Sequence, residues 1–425
     1  MQNLRTPHVS KEGRIFSWAA LIHCFGTSLL LPIFPNFVES IINSESYVGY
    51  FYSAMAIAMA IAGLSSSFFF RKFSRMAVLY FAFMAGALLT MTFVFVNGTY
   101  FLFSVEFLRV FVILYILMAL ALMVRDFAKA NNLGKTEGFY YLFSNIGWAI
   151  GPITGGVIAR YAGNEPVFIL SGLCMAITLL YLSHQHLVKR HPSLAQPHLE
   201  SKVKKVDDFN RFKKYVGSRN RIIAYFVSVA LILWMSFKTV VVPLFVADSG
   251  YGSDTTGLII SLCILPYILF EMPIGQYADK KGLRLPVISG FFIIAFFALA
   301  VWFSPVFYLD ALFLILANVG AAFIEPLRDV YFFKNVEKEN EDTLYGVFIT
   351  SEPVGRFFGP AIVSTSLIFL PFDSVFVVAA IILAIAGIFS FLIKDGFRAA
   401  RMAVLRKPGL LYGLLRRSCG LKPLF

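Results

Sequence analysis

Long apolar runs separated by short polar breaks dominate the chain, and their length is the first thing to interpret. A helix needs about 20 predominantly apolar residues to cross the ~30 Å hydrocarbon layer of a membrane. Twelve runs reach that scale, at approximately 15–38, 47–70, 76–96, 100–124, 137–159, 166–185, 221–246, 255–277, 285–303, 306–327, 343–369 and 374–393. The pattern predicts an all-α membrane protein. The first run is too long for the apolar segment of a cleaved signal peptide, and no small-residue cleavage site follows it, so it is expected to stay in the membrane.

The pattern also repeats. Shifting the chain by 208 residues aligns Pro35 with Pro243, Gly49 with Gly257, Gly138 with Gly346, Gly147 with Gly355, Gly151 with Gly359 and Pro152 with Pro360. Arg125 and Asp126 recur as Arg328 and Asp329 at a shift of 203, the charged insert at 334–342 absorbing the difference. Two six-helix halves follow, 1–185 and 221–393, joined by a polar, basic linker at 186–220 and followed by a basic tail at 394–425. Six is an even number, so both halves enter the membrane from the same side and form parallel repeats about an axis along the membrane normal. A short amphipathic helix is expected near 207–216, and Leu410, Leu411, Leu414 and Leu415 among the tail arginines predict an interfacial helix.

Charge sets the orientation. Of 37 Lys and Arg, three fall within runs and only Arg160 falls in a loop on the side opposite the termini, whereas Glu39, Glu45, Glu165, Asp248, Asp254, Asp310 and Asp373 gather there. That asymmetry places both termini and the linker in the cytoplasm, and the inner membrane of a bacterium is the expected location. The formal +13 is therefore topology, not a nucleic-acid footprint, and the KVKK stretch at 202–205 is expected to be solvated or lipid-facing. At 58% apolar and 14% charged residues, against ~25% charged in a typical soluble domain, the chain is not a soluble globule. Four cysteines form no zinc spacing or disulfide framework, and His184, His186, His191 and His198 lack a second helical pair, so neither metal nor cofactor is expected.

One stretch organises the rest: GFYYLFSNIGWAIGPITGG in run five, with fixed points Gly138, Gly147, Gly151, Pro152, Gly155 and Gly156. Gly147, Gly151 and Gly155 fall at i, i+4 and i+8, a side-chain-free groove that a second helix can approach to backbone contact. Pro152 removes a backbone donor beside that groove. The spacing resembles the antiporter motif on the fifth helix of major facilitator superfamily exporters, and the twelve runs in two parallel halves resemble that fold across nearly the whole chain. The resemblance implies that run eight lies in the groove.

The loop between runs eight and nine, PIGQYADKKGLR, adds to the resemblance through Gly275, Ala278, Asp279, Lys280, Lys281, Gly282 and Arg284, with Glu271 and Pro273 just before it. Gly282 permits a tight turn, and Asp279 is able to cap a neighbouring helix N-terminus. In the family this latch holds the cytoplasmic face shut. The matching first-half loop keeps Arg71, Lys72 and Arg75 but lacks the Asp and both glycines, which assigns the latch here to Asp279.

Charged and titratable residues inside the runs carry the candidate chemistry: His23, Glu106, Arg109, Lys238, Glu271, Glu325, Glu352 and Arg356. Each unpaired charge at the bilayer centre costs about 2.5–3.5 kcal/mol, so these groups must be paired, neutralised or wet. All lie on helices that line the cavity in the family. Glu106 with Arg109 and Glu352 with Arg356 are spaced for intrahelical pairs; Glu325 reads as interfacial. Glu106, then Glu352, is the expected proton-coupling group, with His23, Arg109, Lys238 and Arg356 sharing the cavity. The resulting expectation is a monomeric, proton-coupled exporter of a small organic solute. Symport or uniport of an anionic or polar metabolite into the cell is the alternative, since Arg109, Lys238 and Arg356 suit an anion equally. A receptor or scaffold would not need two repeats each bearing a Gly-Pro step, and no HExxH, GxSxG or P-loop suggests an enzyme.

Overall fold

Backbone polar groups in lipid have no water to bond, so the apolar runs satisfy themselves as helices. The computed structural model describes residues 10–127, 133–191, 208–337 and 340–394; the predicted tail helix, Cys419, His198 and the KVKK stretch lie outside them. The first half contains α1 (Lys11–Ser28), α2 (Phe34–Ile42), α3 (Glu45–Lys72), α4 (Arg75–Thr92), α5 (Thr99–Asp126), α6 (Leu133–Ala162) and α7 (Asn164–His184), followed by the single turn α8 (Leu187–Arg190). The linker carries α9 (Asp208–Val216). The second half contains α10 (Arg219–Asp248), α11 (Ser253–Leu262), α12 (Leu265–Lys281), α13 (Arg284–Phe303), α14 (Phe307–Lys334), α15 (Glu341–Phe348), α16 (Ser351–Phe369) and α17 (Ser374–Ser390).

Among the described residues, nine helical stretches are long and apolar enough to cross a membrane. The other three expected runs fall short for local reasons. Run one is split by a turn at 29–33, beside Pro32 and Pro35, into α1 and α2. Run eleven is broken at Ile349 and Thr350, and its longer piece carries Glu352 and Arg356. Run twelve is apolar but only 17 residues long.

The repeat read from the sequence is a repeat of packing. Ser28 Oγ donates to the Gly147 carbonyl at 3.0 Å, and at the corresponding second-half positions Ser236 Oγ donates to the Gly355 carbonyl at 3.1 Å. A Cβ added to Gly147 would stand 2.8 Å from the Phe25 nitrogen, and one on Gly151 2.7 Å from the Phe25 carbonyl oxygen. Gly359 has the same relation to α10, with the Leu233 oxygen 2.6 Å away. The groove on α6 is therefore filled by α1 of its own half, which corrects the expectation that run eight lies there. Run eight meets the next face of α6, rotated by about 100°. There a side chain on Gly257 would collide with the Pro152 carbonyl, and one on Gly156 with the Ser253 carbonyl. The symmetry mate of this contact joins α3 to α16, where Gly49 lies against the Pro360 carbonyl.

These contacts close one end of the molecule. Hydrogen bonds between the halves run from Asn36 to the Pro243 carbonyl (3.3 Å), Ser46 to the Leu367 carbonyl (3.3 Å), Ser53 to the Phe357 carbonyl (2.8 Å), Ser253 to the Gly156 carbonyl (2.9 Å) and from the Tyr50 N–H to Ser364 Oγ (3.0 Å). All lie remote from the end that carries Lys11, Arg190 and Arg219. At that basic end the same helix pairs diverge: Leu142 on α6 and Leu269 on α12 are 50% and 62% exposed, and Leu64 on α3 is 81% exposed. One buried cluster belongs wholly to the first half, while the larger one runs through the second half and takes in first-half residues of the far end such as Phe34, Phe51 and Phe168. The halves are thus fused at the far end and apart at the basic end.

Two details at the basic end follow local rules. Gly282 ends α12 at φ +102°, a left-handed-side conformation that only glycine adopts without strain, and its N–H reaches the Ala278 carbonyl at 3.0 Å. In the linker, α9 docks on the second half through buried Tyr215, which stacks on Phe332 and donates to the Arg221 carbonyl at 2.9 Å.

The glycine stripe makes a prediction. Gly151→Leu should lower stability by about 1–3 kcal/mol or more, because α1 cannot move off its own bundle, whereas Gly138→Leu, whose Cβ would meet open space, should melt like the wild type. Thermal unfolding of the two purified variants in one detergent checks it; equal melting would remove the packing role.

Candidate substrate and proton-coupling site

Two separate polar clusters occupy the apolar interior, one in each half. In the first, Glu106 and Arg109 sit one turn apart on α5 and form a bidentate pair: Nε to Oε2 at 2.5 Å and Nη2 to Oε1 at 2.8 Å. Glu106 is 5% exposed. The guanidinium also lies over the rings of Phe34 (5.4 Å) and Phe93 (5.7 Å), which add cation–π attraction to the ion pair. His23 on α1 is buried edge-on against Phe83 at 5.5 Å, and its Nδ1 has no hydrogen-bond partner among the described residues. The predicted intrahelical pair is present. Because both partners ride on one helix, movement of one half against the other does not separate them.

The second cluster draws on α10, α12, α14 and α16. Lys238 donates to Asn318 Oδ1 at 2.6 Å and lies 5.6 Å from the Tyr267 ring centre; Tyr267 donates to the same amide oxygen at 3.3 Å. Asn318 is fixed in turn by donating to the Leu314 carbonyl at 2.7 Å. Two turns along α14 toward the basic end stands Glu325, partly exposed and with no ion pair among the described residues. Lys238, Glu271 and Arg328 are within electrostatic reach of it. One turn further, Arg328 Nη2 reaches Glu352 Oε1 at 3.2 Å and its Nη1 reaches Ser228 Oγ at 3.2 Å.

That last contact corrects the expected Glu352–Arg356 pair. The break at Ile349 and Thr350 starts α16 afresh at Ser351, and Ser351 hydrogen-bonds Ser228 on α10 at 2.7 Å. The anchored first turn presents Glu352 to Arg328 on α14, while Arg356 is left exposed with no ion pair among the described residues. Glu325, expected near the cytoplasmic end of its helix, lies in the basic-end third of α14 and joins this cluster.

The latch residues are disengaged. Asp279 and Lys280 are exposed, and Asp279 has no hydrogen bond among the described residues, so its expected cap on a neighbouring helix is not formed. Lys281 lies over Tyr277 (5.3 Å) and Arg284 over Phe391 (5.7 Å), while Glu271 and Gly275 are partly exposed on α12. In the first half, Arg75 pairs with Asp126 across the loop that lacks the acidic latch residue. With the two halves apart at this end, Asp279 meets no helix of the other half among the described residues. A shallow apolar groove of about 630 Å³ between α3 and α5, lined by residues such as Ala58 and Phe107, contains no charged group and lies apart from both clusters.

Asn318, Tyr267, Ser228 and Ser351 were not among the residues singled out from the sequence. A signal existed for Asn318: a lone amide within LFLILANVGAAF is as foreign to an apolar run as a charge.

Helical halves closed on each other at one end, apart at the other, and each holding a cluster of charged side chains in its interior are the architecture of a transporter. The chain belongs to the Major Facilitator Superfamily, whose profile matches residues 16–252 and again residues 224–407. It is a multi-pass integral membrane transporter of small solutes and not an enzyme. Multidrug resistance protein 2 of Bacillus subtilis is 24% identical over 349 residues, covering 79% of this chain and 84% of that protein. Staphylopine export protein of Staphylococcus aureus is 21% identical over 293 residues, covering 67% and 71%. Among solved structures, the nucleoside transporter NupG superposes with a TM-score of 0.69 at 16% identity, covering 91% of this chain and all of that one, which shows the shared fold.

The pairing of Glu352 is testable by stability alone. Arg328→Gln should cost about 1–3 kcal/mol by leaving Glu352 without its partner, and Arg356→Gln should stay within about 0.5 kcal/mol of the wild type. Denaturation of both variants in the same detergent decides; the reverse order would restore the intrahelical pair.

Proposed function

We propose that the protein is a proton-coupled exporter of a small organic solute, working as a monomer in a cytoplasmic membrane with its basic end inward. The halves 1–185 and 221–393 rock against each other about the contacts of the far end. The observation that carries the coupling is Glu325, a carboxylate inside the second-half bundle that has no ion pair among the described residues. Glu106, the choice from sequence, is fixed in a bidentate pair that moves as one piece, and Glu352 is taken by Arg328. A group whose charge is not already committed is the one free to exchange a proton as its surroundings change. Export is supported by the names of the relatives and by the resemblance of the helix-five stretch to the exporter motif. In this reading the open basic end is the solute-loading form, and Asp279 closes it later by meeting the opposite half.

Flux in reconstituted vesicles tests both parts, using a solute found by screening for ligands that raise the melting temperature. Glu325→Gln should abolish accumulation driven by an imposed pH gradient while still allowing solute exchange without a gradient at saturating solute. Glu106→Gln should mainly lower stability. Gradient-driven accumulation at the wild-type level in Glu325→Gln would return the role to Glu106 or Glu352. Reversed flux, into the compartment facing the basic end, would favour a symporter.

Asp279→Asn gives an independent check on the latch. It should increase the fraction of molecules open at the basic end, read as longer distances between spin labels on the basic ends of α6 and α12. Unchanged distance distributions would leave the loop as a turn.

A further inference from the structure

The second-half cluster has a polarity that its transport role does not require. Its mid-depth rung is cationic: the ammonium of Lys238 has three donors but only one charge-neutral acceptor, Asn318, and the face of a tyrosine ring. No carboxylate lies within ion-pair distance of Lys238 among the described residues. The rung nearer the basic end is anionic: Glu325 on α14 and Glu271 on α12, both partly exposed and neither in an ion pair among the described residues. Below that, Arg328 is already matched by Glu352 at 3.2 Å and Asp329 at 4.0 Å. The charges left over are thus one positive centre and two negative ones. Seven residues of α14 and four of α12 separate the rungs, which is about 6–10 Å of helix.

We infer that this cluster binds an amphoteric solute, its carboxylate or other anionic group on Lys238 and its ammonium on Glu325, with a spacer several atoms long between them. The inference deepens the transport reading by naming the class of solute for the same cluster. A singly charged solute would leave one rung uncompensated in a low-dielectric bundle, whereas an amphoteric one completes both. Coupling follows from competition. When the ammonium leaves Glu325, a proton takes its place on the carboxylate, and when that proton is lost to the opposite side the carboxylate is free for the next ammonium. One positive charge is exchanged for another, so solute and proton move in opposite directions.

The test uses the full chain purified in detergent and three probes that differ only in spacer, β-alanine, γ-aminobutyrate and ε-aminocaproate, with hexylamine and hexanoate as singly charged controls. ε-Aminocaproate at a hundredfold excess over its Kd should raise the melting temperature by about 3 °C. β-Alanine and both controls should do so by a small fraction of that. Lys238→Gln should erase the response to ε-aminocaproate, Glu325→Gln, whose amide oxygen still accepts from the ammonium, should reduce it to a measurable fraction, and lowering the pH should weaken binding in the wild type but not in Glu325→Gln. Equal responses to hexylamine and ε-aminocaproate, or no dependence on spacer, would overturn the proposal. If a variant does not fold, the wild-type probe series decides by itself. Gradient-driven flux that survives a failed probe series would leave the exporter standing without its amphoteric site; a positive series without gradient-driven flux would leave the site and remove the coupling.

Discussion

The structure depends on two places where one half's backbone touches the other's with no side chain between them. The carbonyl oxygens of Pro152 and Pro360 occupy the positions that side chains on Gly257 and Gly49 would fill. Contacts this close place dispersion attraction and serine hydrogen bonds along both seams of the far end. They run along the far-end stretches of α3 and α6, most of α11 and the stretch 357–367 of α16. A seam of this kind closes firmly yet leaves the remaining length of each helix free to separate, as the exposed basic-end stretches of α3, α6 and α12 do. The polar clusters consequently lie between a sealed end and an open one.

What the two halves share and what they do not share divide along a physical line. Residues that repeat at the 208-residue shift are those of packing: Ser28 and Ser236, Gly147 and Gly355, Pro152 and Pro360, Gly49 and Gly257. Residues that carry charge at mid-depth do not repeat. The positions matching Lys238, Tyr267 and His23 are Leu30, Met59 and Leu231. Symmetric packing is needed for two halves to rock alike, whereas a solute has no two-fold symmetry to match. Charge is therefore concentrated in the second half in a form open to exchange, and in the first half in a form locked against it.

The same division explains how much was legible in the sequence. Glycine and proline roles are fixed by residue identity, so the repeat, the two halves and the helix-five groove could be read directly. The occupant of that groove could not, because whether Gly151 or Gly156 faces a given neighbour depends on helix rotation, and one residue turns the face by about 100°. The partner of Glu352 was hidden for a different reason. Its i+4 arginine and the tertiary Arg328 are equally available in principle, and the break at Ile349 and Thr350 that decides between them leaves no mark in composition. Asp279 was recognised by type, but whether a latch is engaged belongs to the conformational state and not to the chain.

Glu106 and Glu325 show why counting buried carboxylates is not enough to find a coupling group. Glu106 looks the stronger candidate by depth and by its neighbouring arginine, yet its bidentate partner sits one turn away on the same helix and moves with it. Breaking such a pair leaves an uncompensated ion in a dry site, a cost of about 3–5 kcal/mol that a transport cycle would meet at each turn. Glu325 sits among groups on three other helices, Lys238 on α10, Glu271 on α12 and the Arg328–Glu352 pair that ties α14 to α16. Any relative shift of those helices changes the field at its carboxylate without breaking a contact. A proton carrier needs that sensitivity to rearrangement, and within this fold a carboxylate acquires it by having its neighbours on different helices.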